Sequence, residues 1–233
     1  MVPADMTAVR SLEVRRLGRV PYGEALELQK RLVEQRRAGT IGDLLLLVEH
    51  PPVLTLGVRG DGRSHILASD GELASRHIDV IETRRGGDIT YHGPGQIVGY
   101  PIIDLDPDRR DVHKYVRDLE DVLIRVAADF GIMAGRVQGL TGVWVGDEKL
   151  AAVGVRIQRW VTSHGFALNH TTDLSHFDLI VPCGIADCGV TSLAKLGCTA
   201  PRADVEARIA AHFATVFDRT AREATSQAVG TEA

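Results

Sequence analysis

The hydrophobic positions of this 233-residue chain recur with two different periods, which predict helices and strands in irregular alternation. Over residues 112–130, apolar side chains return every three or four positions, which indicates an amphipathic helix. Asp111 is its expected N-cap, and Gly131 its expected C-terminal stop. Further helices are predicted over residues 21–37 and 203–219.

Short apolar or alternating runs predict the strands, and polar runs between them predict loops. The predicted strands are residues 44–48, 53–56, 78–83, 97–103, 142–145, 149–158 and 164–169. A hairpin turn is expected at 146–148 and a loop over 59–75. Because no βαβ unit repeats, the pattern favours an α+β fold, a mixed β-sheet with flanking helices, over a doubly wound α/β fold.

Length and composition indicate one globular domain. Hydrophobic residues make up 44% of the chain and charged residues 25%, and the length suits a single domain over 11–223 with flexible ends at 1–10 and 224–233. The net charge of -4 gives no reason to expect nucleic-acid binding. Three cysteines without a signal-like N-terminus fit a reducing compartment, and the apolar run at 44–48 is too short for a bilayer, so a cytoplasmic protein is expected.

The densest glycine cluster lies in RRGGDITYHGPGQ, residues 84–96. Glycines let a backbone approach a ligand closely and direct its amides inward, so this segment is a candidate binding loop. A plain glycine-rich hairpin is the alternative. The spacing matches neither a Walker loop nor a dinucleotide fingerprint. His92 stands beside the glycines as either a site residue or a structural one.

Two residues could carry nucleophilic chemistry. Cys183 lies between Pro182 and Gly184, in a turn where a thiolate could act as acyl acceptor, although a buried inert thiol is the commoner fate of a cysteine. Lys149 begins an otherwise apolar strand. At an exposed hairpin end it would be solvated, whereas facing a cavity it could act as an acid or base.

Two further patterns stay open. His164-Gly165 at the start of a strand fits either close approach of a ligand or a β-bulge. Zinc could be held by Cys183, Cys188, Cys198 and a nearby histidine, but the spacing is not that of a paired-ligand knuckle, so no metal is expected.

Taken together, four motifs in one order resemble the lipoyl(octanoyl) transferases of the biotin/lipoate protein ligase superfamily, over residues 46–193. They are EHPP with TLG at 49–57, RGGDITYHGPGQ at 85–96, Lys149 with AVG at 152–154 followed by HGFALN at 164–169, and PCG at 182–184. The resemblance implies an α/β domain with a mixed sheet, related to the catalytic domain of class II aminoacyl-tRNA synthetases.

The same resemblance implies an acyl transfer in two halves. Cys183 would take an octanoyl group from octanoyl-acyl carrier protein as a thioester, and Lys149 would lower the pKa of Cys183 and act as acid and base. A lysine of a lipoyl domain would then accept the acyl group as an amide. Since a thioester-to-amide transfer is downhill, neither ATP nor any other cofactor is expected.

The resemblance also implies which residues line the acyl pocket, where backbone amides would stabilise the oxyanion. The implied pocket residues are Arg85, Gly86, Gly87, Asp88, Ile89, Thr90, Tyr91, His92, Ala152, Val153, Gly154, Gly165, Phe166 and Ala167. Supporting roles are implied for Gln96, His164 and Asn169. The implied acceptors are lipoyl domains of 2-oxoacid dehydrogenases and the glycine cleavage H protein; the enzyme is expected to be a monomer that binds neither nucleic acid nor membrane.

Other functions remain to be distinguished. An ATP-dependent lipoate ligase would favour a third glycine in place of Asp88 and an acidic residue in place of Gly93, and would not need Cys183. A biotin ligase would need a Gly-Arg-Gly-Arg type loop, which is absent. A catalytically inactive module that binds lipoyl or acyl carrier domains would need neither Lys149 nor Cys183. A cysteine hydrolase could use His164 as its base but would lose the acyl group to water.

Overall fold

The computed structural model describes residues 10–59, 62–181 and 189–224. Over these residues the chain forms four α-helices, eleven β-strands and two 3₁₀ turns. In chain order they are β1 (Arg10–Arg19), α1 (Tyr22–Arg37), β2 (Asp43–Glu49), β3 (Val53–Leu56), a 3₁₀ turn (Gly62–His65), α2 (Asp70–Ser75), β4 (Asp79–Glu82), β5 (Ile89–His92), β6 (Gln96–Ile102), α3 (Val112–Asp129), β7 (Val143–Val145), β8 (Glu148–Gln158), β9 (Val161–Asn169), a 3₁₀ turn (Leu174–Leu179), β10 (Gly189–Val190), α4 (Arg202–Val216) and β11 (Arg219–Glu223).

Eight of these strands form one large sheet in the order β10-β8-β9-β6-β2-β1-β11, with β7 also paired to β8. Strand β1 runs parallel to β2 and β11, and β10 runs parallel to β8, whereas the other neighbours are antiparallel. The predicted mixed sheet with flanking helices is therefore confirmed, and the hairpin turn at 146–148 joins β7 to β8 as expected.

The run of leucines in β2 is explained by burial of both faces of this sheet. Leu44 and Leu46 pack in the cluster that contains α1, and Leu45 and Leu47 pack in the cluster that contains α3 and α4. Because successive side chains of a strand point to opposite faces, a central strand covered on both sides is apolar throughout.

A second sheet of three strands, in the order β4-β3-β5, packs against α2 and the second 3₁₀ turn. The glycine-rich segment connects the two sheets. Gly86 N donates to Val155 O in β8 at 2.9 Å, and β5 follows directly. The backbone between the sheets is thereby held against β8, where the candidate site lies.

Some elements differ from the sequence prediction. The loop expected over 59–75 contains α2, whose N-cap Ser69 accepts from the amide of Glu72. The last helix ends at Val216 rather than 219, since Asp218 has φ 52° and turns the chain into β11. The pattern also does not predict β1, because ion-paired arginines interrupt its apolar alternation. Across the described residues, no helix combines the length and hydropathy needed to cross a bilayer.

Candidate active site

A cavity of about 600 Å³ lies where the small sheet meets β8 and β9. Its walls include nearly all of the described residues that the sequence singled out. These are Arg85, Gly86, Gly87, Asp88, Ile89, Thr90, His92, Gln96, Lys149, Ala152, Val153, Gly154, His164, Gly165, Phe166, Ala167 and Asn169. Segments far apart in the sequence are thus brought to the walls of one cavity by the folding of the two sheets.

Tyr91 is the exception among the described candidates, because it does not line this cavity. Residues of a strand alternate between faces, and Tyr91 points away from the face that carries Thr90 and His92. Its ring stacks on His176 with centroids 4.8 Å apart and meets the ring of Phe177 edge-on. Tyr91 therefore belongs to the core of the small sheet.

Arg85 is a buried cation at the cavity wall, fixed by hydrogen bonds to Thr55 in β3. Its guanidinium donates to Thr55 O at 2.6 Å and to Thr55 Oγ1 at 2.9 and 3.2 Å. With its hydroxyl oxygen accepting from Arg85, Thr55 directs its own proton to His92 Nε2 at 3.3 Å. Burial holds the pKa of His92 well below its ordinary value, with smaller contributions from His50 and Arg85.

From His92 a series of hydrogen bonds, each donated in the same direction, leads to Thr191, the residue after β10. His92 Nδ1 donates to Gln96 Oε1 at 2.7 Å, and Gln96 Nε2 donates to Tyr91 O and Asn169 Oδ1. Asn169 Nδ2 then donates to Thr191 O at 3.0 Å. Because the carbonyls of Tyr91 and Thr191 can only accept, both amide orientations and the His92 tautomer are determined.

Two buried tyrosines, Tyr22 and Tyr100, border the same cavity, and the sequence did not single them out. His50, from the EHPP motif, lies behind Tyr100. Burial raises the pKa of Tyr22 to about 12 and that of Tyr100 well above its ordinary value. His50 Nδ1 donates to Val20 O at 2.7 Å, so Nε2 accepts from the Tyr100 hydroxyl at 2.7 Å. Burial lowers the pKa of His50 to about 4, which keeps this ring neutral.

His164 closes another part of the wall. Burial lowers its pKa to about 4, with smaller contributions from Arg85 and Arg156, and its amide donates to Gln29 Oε1 at 2.7 Å. A side chain on Gly165 would collide with the backbone carbonyl of Gly99 in β6. The pairing of β8 with β9 keeps its register through this point. The glycine is therefore required by close packing of β6, and β8 and β9 contain no bulge here.

Helix α3 contributes an acidic residue that the sequence pattern could have revealed. Glu120 lies within the apolar stripe, four residues after Val116, and its side chain is 1% exposed. Its carboxylate accepts from Arg117 Nη1, Arg136 Nε and the amide of Gly142, each at 2.9 Å. Glu120 thereby anchors the loop that precedes β7 beside the cavity.

Lys149 lies at the cavity edge where β8 pairs with β7 and β10. Its ammonium nitrogen is 4.7 Å from the centroid of the Trp144 ring. Its backbone pairs with Val190, and Lys149 O accepts from Thr191 N at 3.0 Å. Cys183 lies outside the described residues, between Val181 and the start of β10.

No group of three or more potential metal ligands forms among the residues that the structure describes. Of the cysteines considered for zinc, Cys198 is described and is a half-buried free thiol. Cys183 and Cys188 fall in the undescribed segment 182–188.

Comparison with known proteins identifies the family. Residues 21–214 match the model of the lipoyl protein ligase A/B catalytic domain. An octanoyltransferase of Myxococcus xanthus is 54% identical over 217 residues, 90% of this chain and 60% of that protein. An octanoyltransferase of Solibacter usitatus is 53% identical over 210 residues, 90% of this chain and 94% of that protein. The chain thus spans under two thirds of the first relative and nearly all of the second.

Solved structures agree on the fold. A lipoate-protein ligase A bound with ATP has a TM-score of 0.76 at 14% identity, over 93% of this chain and 90% of that one. A bi-partite lipoate protein ligase of Thermoplasma acidophilum has a TM-score of 0.72 at 15% identity, over 94% of this chain and 87% of that one. At sequence identities this low, the two structural similarities bear on the fold alone. With the family match and relatives above 50% identity, the chain belongs to the lipoyl protein ligase A/B catalytic-domain family, among its octanoyltransferases.

Proposed function

We propose that residues 11–223 form one catalytic domain that transfers an octanoyl group from an acyl carrier protein to a lysine of a lipoyl domain. The cavity of about 600 Å³ with Lys149 at its edge carries this proposal. That volume lies within the range of roughly 300–1,000 Å³ typical of small-ligand pockets. Relatives named octanoyltransferase, at 53% and 54% identity, support the same reaction.

The cavity offers an apolar surface that suits a hydrocarbon chain. Val98, Ala152 and Ala167 line it from one face of the large sheet, since Val98 and Ala152 both pair directly with Ala167. An octanoyl chain placed against these side chains would release water from apolar surface on both partners, which favours binding. The polar groups of the wall are held by fixed hydrogen bonds, such as those from Arg85 to Thr55.

Cys183 is our proposed nucleophile, although it lies outside the described residues. The described chain on either side of it is fixed: Val181 N donates to His65 O at 2.8 Å, and Val190, which lines the cavity, pairs with Lys149. A thiolate two residues after Val181 and close in sequence to β10 would be well placed to use a cavity with a lysine at its edge.

The Cys183 thiolate and the Lys149 ammonium group are sufficient for both proton transfers and both acyl transfers of this reaction. The Cys183 thiolate attacks the carbonyl carbon of the donor thioester, the carbon–sulfur bond to the donor breaks, and the departing thiolate takes a proton from the Lys149 ammonium. The amine of the acceptor lysine then attacks the Cys183 thioester and gives a proton to Lys149. Cys183 leaves as thiolate, an amide has formed, and both groups return to their starting states.

Two features favour transfer from a thioester over ATP-dependent ligation. Asp88 stands where a ligase would favour glycine, and it lines the cavity. A side chain on Gly93, where a ligase would favour an acidic residue, would collide with the Tyr91 hydroxyl. If the chain nevertheless transfers free octanoate when ATP is supplied, the ligase function would be favoured instead.

An intact-mass experiment tests the covalent intermediate. Incubation with octanoyl-acyl carrier protein, without acceptor, should add one octanoyl group to the chain, and Cys183→Ala should remove this adduct. Cys188→Ser and Cys198→Ser serve as matched controls and should retain it. A wild-type protein without adduct, or an adduct that survives in Cys183→Ala, would refute Cys183 as nucleophile.

The role of Lys149 is tested by alkylation of Cys183 across a pH series. Lys149→Met should move the midpoint of alkylation to higher pH, because loss of the cation disfavours the thiolate. Lys195→Met is the control, since Lys195 is an exposed lysine paired with Glu148 at 2.6 Å. An unchanged midpoint in Lys149→Met would exclude this role.

A further inference from the structure

Trp144 and Lys149 face each other across β7 and β8 because of a β-bulge. Val143 pairs with Ala151, whereas Trp144 pairs with Lys149, so Leu150 is the extra residue on β8. In regular pairing Trp144 would oppose Leu150, and its ring would lie on the face opposite to Lys149. Bulges of this kind commonly redirect a side chain next to a functional site.

The pair has the geometry of a cation–π contact. The ammonium nitrogen of Lys149 lies 4.7 Å from the ring centroid, within the distance of about 6 Å at which the interaction is significant. Trp144 is 3% exposed, and its backbone exchanges two hydrogen bonds with Gly135 at 2.8 and 2.9 Å. The ring is therefore a rigid, desolvated platform, where such contacts are strongest.

The stem of Lys149 is also confined. A β-carbon placed on Gly142 would lie 3.6 Å from Lys149 Cε, so the backbone of the preceding loop borders the side chain. Glu120 holds this loop through the amide of Gly142 at 2.9 Å. A lysine confined along its stem and placed over a ring keeps one orientation of its ammonium group.

We infer that Trp144 is a positioning residue that holds the Lys149 ammonium group over its ring for the transfer. This role rests on the proposed function of Lys149. The ring touches neither acyl group nor thiol in this scheme; it acts through the lysine, by orienting the proton that Lys149 delivers to the departing thiol.

A spectroscopic titration tests the contact without measuring catalysis. The chain has two tryptophans, so Trp160→Phe leaves Trp144 as the sole source of indole emission. As pH rises, this emission should change when Lys149 loses its proton, and Lys149→Met should abolish the change. A titration that is flat, or that persists in Trp160→Phe with Lys149→Met, would overturn the inference.

Kinetics provide the second readout. Trp144→Leu should lower kcat at least about tenfold with little change in KM, because the Lys149 ammonium group is no longer held over the ring. Trp144→Phe keeps a π face and should restore most of kcat. Trp160→Leu is the matched control, since it removes a remote contact with Arg110 at 5.7 Å. A wild-type kcat in Trp144→Leu would contradict the role.

The two tests separate this inference from the proposed function. If the wild-type protein forms no octanoyl adduct, the proposed function fails, while the emission of Trp144 still reports its contact with Lys149. If the adduct forms and neither emission nor the kinetics of Trp144→Leu changes, only the role of Trp144 fails.

Discussion

Each hydrogen bond of His92 is set by a partner that can act in only one sense. Gln96 accepts from Nδ1 because its own amide nitrogen donates to Tyr91 O and Asn169. Thr55 donates to Nε2 because its oxygen already accepts from Arg85. A single neutral tautomer results, and Arg85 on one side is linked to the strand beside Lys149 on the other.

Replacing Thr55 by valine tests this link with almost no change of shape. Thr55→Val should lower the free energy of unfolding by about 1–3 kcal/mol, because His92 Nε2 and the Arg85 guanidinium each lose a buried partner. Thr55→Ser keeps the hydroxyl and should cost less, about 1 kcal/mol for a methyl group. Urea denaturation measures both variants, and an equally stable valine variant would show that the link contributes nothing.

For single residues, local motifs pointed to cavity-lining positions that are consecutive in the sequence, such as Arg85 to Thr90 and Ala152 to Gly154. They did not predict Tyr22 or Tyr100, which come from α1 and β6. A single buried tyrosine leaves no periodic signal in the sequence, since its polar partners are supplied only by tertiary contacts.

Among the elements, the turn that connects β8 to β9 has two consecutive residues with positive φ. Arg159 and Trp160 have φ of 48° and 67°, which corresponds to a two-residue type I′ turn. Such turns favour Asn-Gly, and residues with larger side chains are strained in this region. Trp160 packs against the core, which accounts for its presence, whereas Arg159 is exposed.

Arg159→Asn should therefore stabilise the protein. Asparagine adopts this conformation more readily, and a gain of about 0.5–1 kcal/mol is expected. Urea denaturation measures the gain as a higher midpoint with unchanged slope. Arg31→Asn, an exposed substitution in α1, is the control and should give no gain, since asparagine is a poorer helix former than arginine. A lower midpoint for Arg159→Asn would contradict the strain argument.

The long, regular elements were predictable, and the short or charged ones were not. Helix α3 matches its predicted stripe and its N-cap, with Asp111 accepting from Lys114 N at 2.9 Å. Helix α2 has six residues, too few for a period to emerge. Strand β1 and strand β11 carry arginines whose charges are neutralised by partners distant in sequence, such as Glu206 for Arg16.

For the molecule as a whole, Asp43 joins elements from both ends of the described chain. Its buried carboxylate accepts from Arg36 of α1 and Arg219 of β11, each at 2.8 Å, and from Arg10 of β1 at 3.3 Å. Asp104 and Asp108 also pair with these arginines, so three carboxylates compensate three guanidinium groups around Asp43.

Asp43→Asn should be strongly destabilising, by roughly 3–5 kcal/mol, because it removes the carboxylate from the fully buried ion pair with Arg219. Glu34→Gln is the control, since it breaks an exposed pair with Arg37 and should cost less than about 1 kcal/mol. Thermal and urea denaturation measure both. If Asp43→Asn and Glu34→Gln lowered the free energy of unfolding by similarly small amounts, burial would not strengthen the ion pairs of Asp43.

The buried histidines predict a pH dependence of global stability. Burial lowers the pKa of His50 and of His164 to about 4, and that of His92 well below its ordinary value. In the unfolded chain they take up protons near pH 6.5, so unfolding binds protons between about pH 6.5 and 4. Their contribution to stability is complete above pH 6.5 and is lost as pH falls toward 4.

Urea denaturation at pH 7.5, 5.5 and 4.5 should show this loss, with a slope of up to about 1.4 kcal/mol per pH unit for each histidine. His50→Gln should reduce this slope by about the contribution of one histidine. Between pH 7.5 and 8.5 these rings are neutral in both states and should add no slope, which is the internal control. Stability that rises on acidification to pH 4.5 would contradict the assignment.

The sequence by itself determined the mixed sheet, the main helices and the residues of the glycine-rich segment, because periodicity and local motifs depend on neighbours along the chain. Only the tertiary structure decided that these segments line one cavity, that a bulge brings Trp144 and Lys149 together, and that Asp43 pairs with three arginines. Those outcomes depend on contacts between residues far apart in sequence, whose desolvation and hydrogen bonding exist only once the sheets have packed.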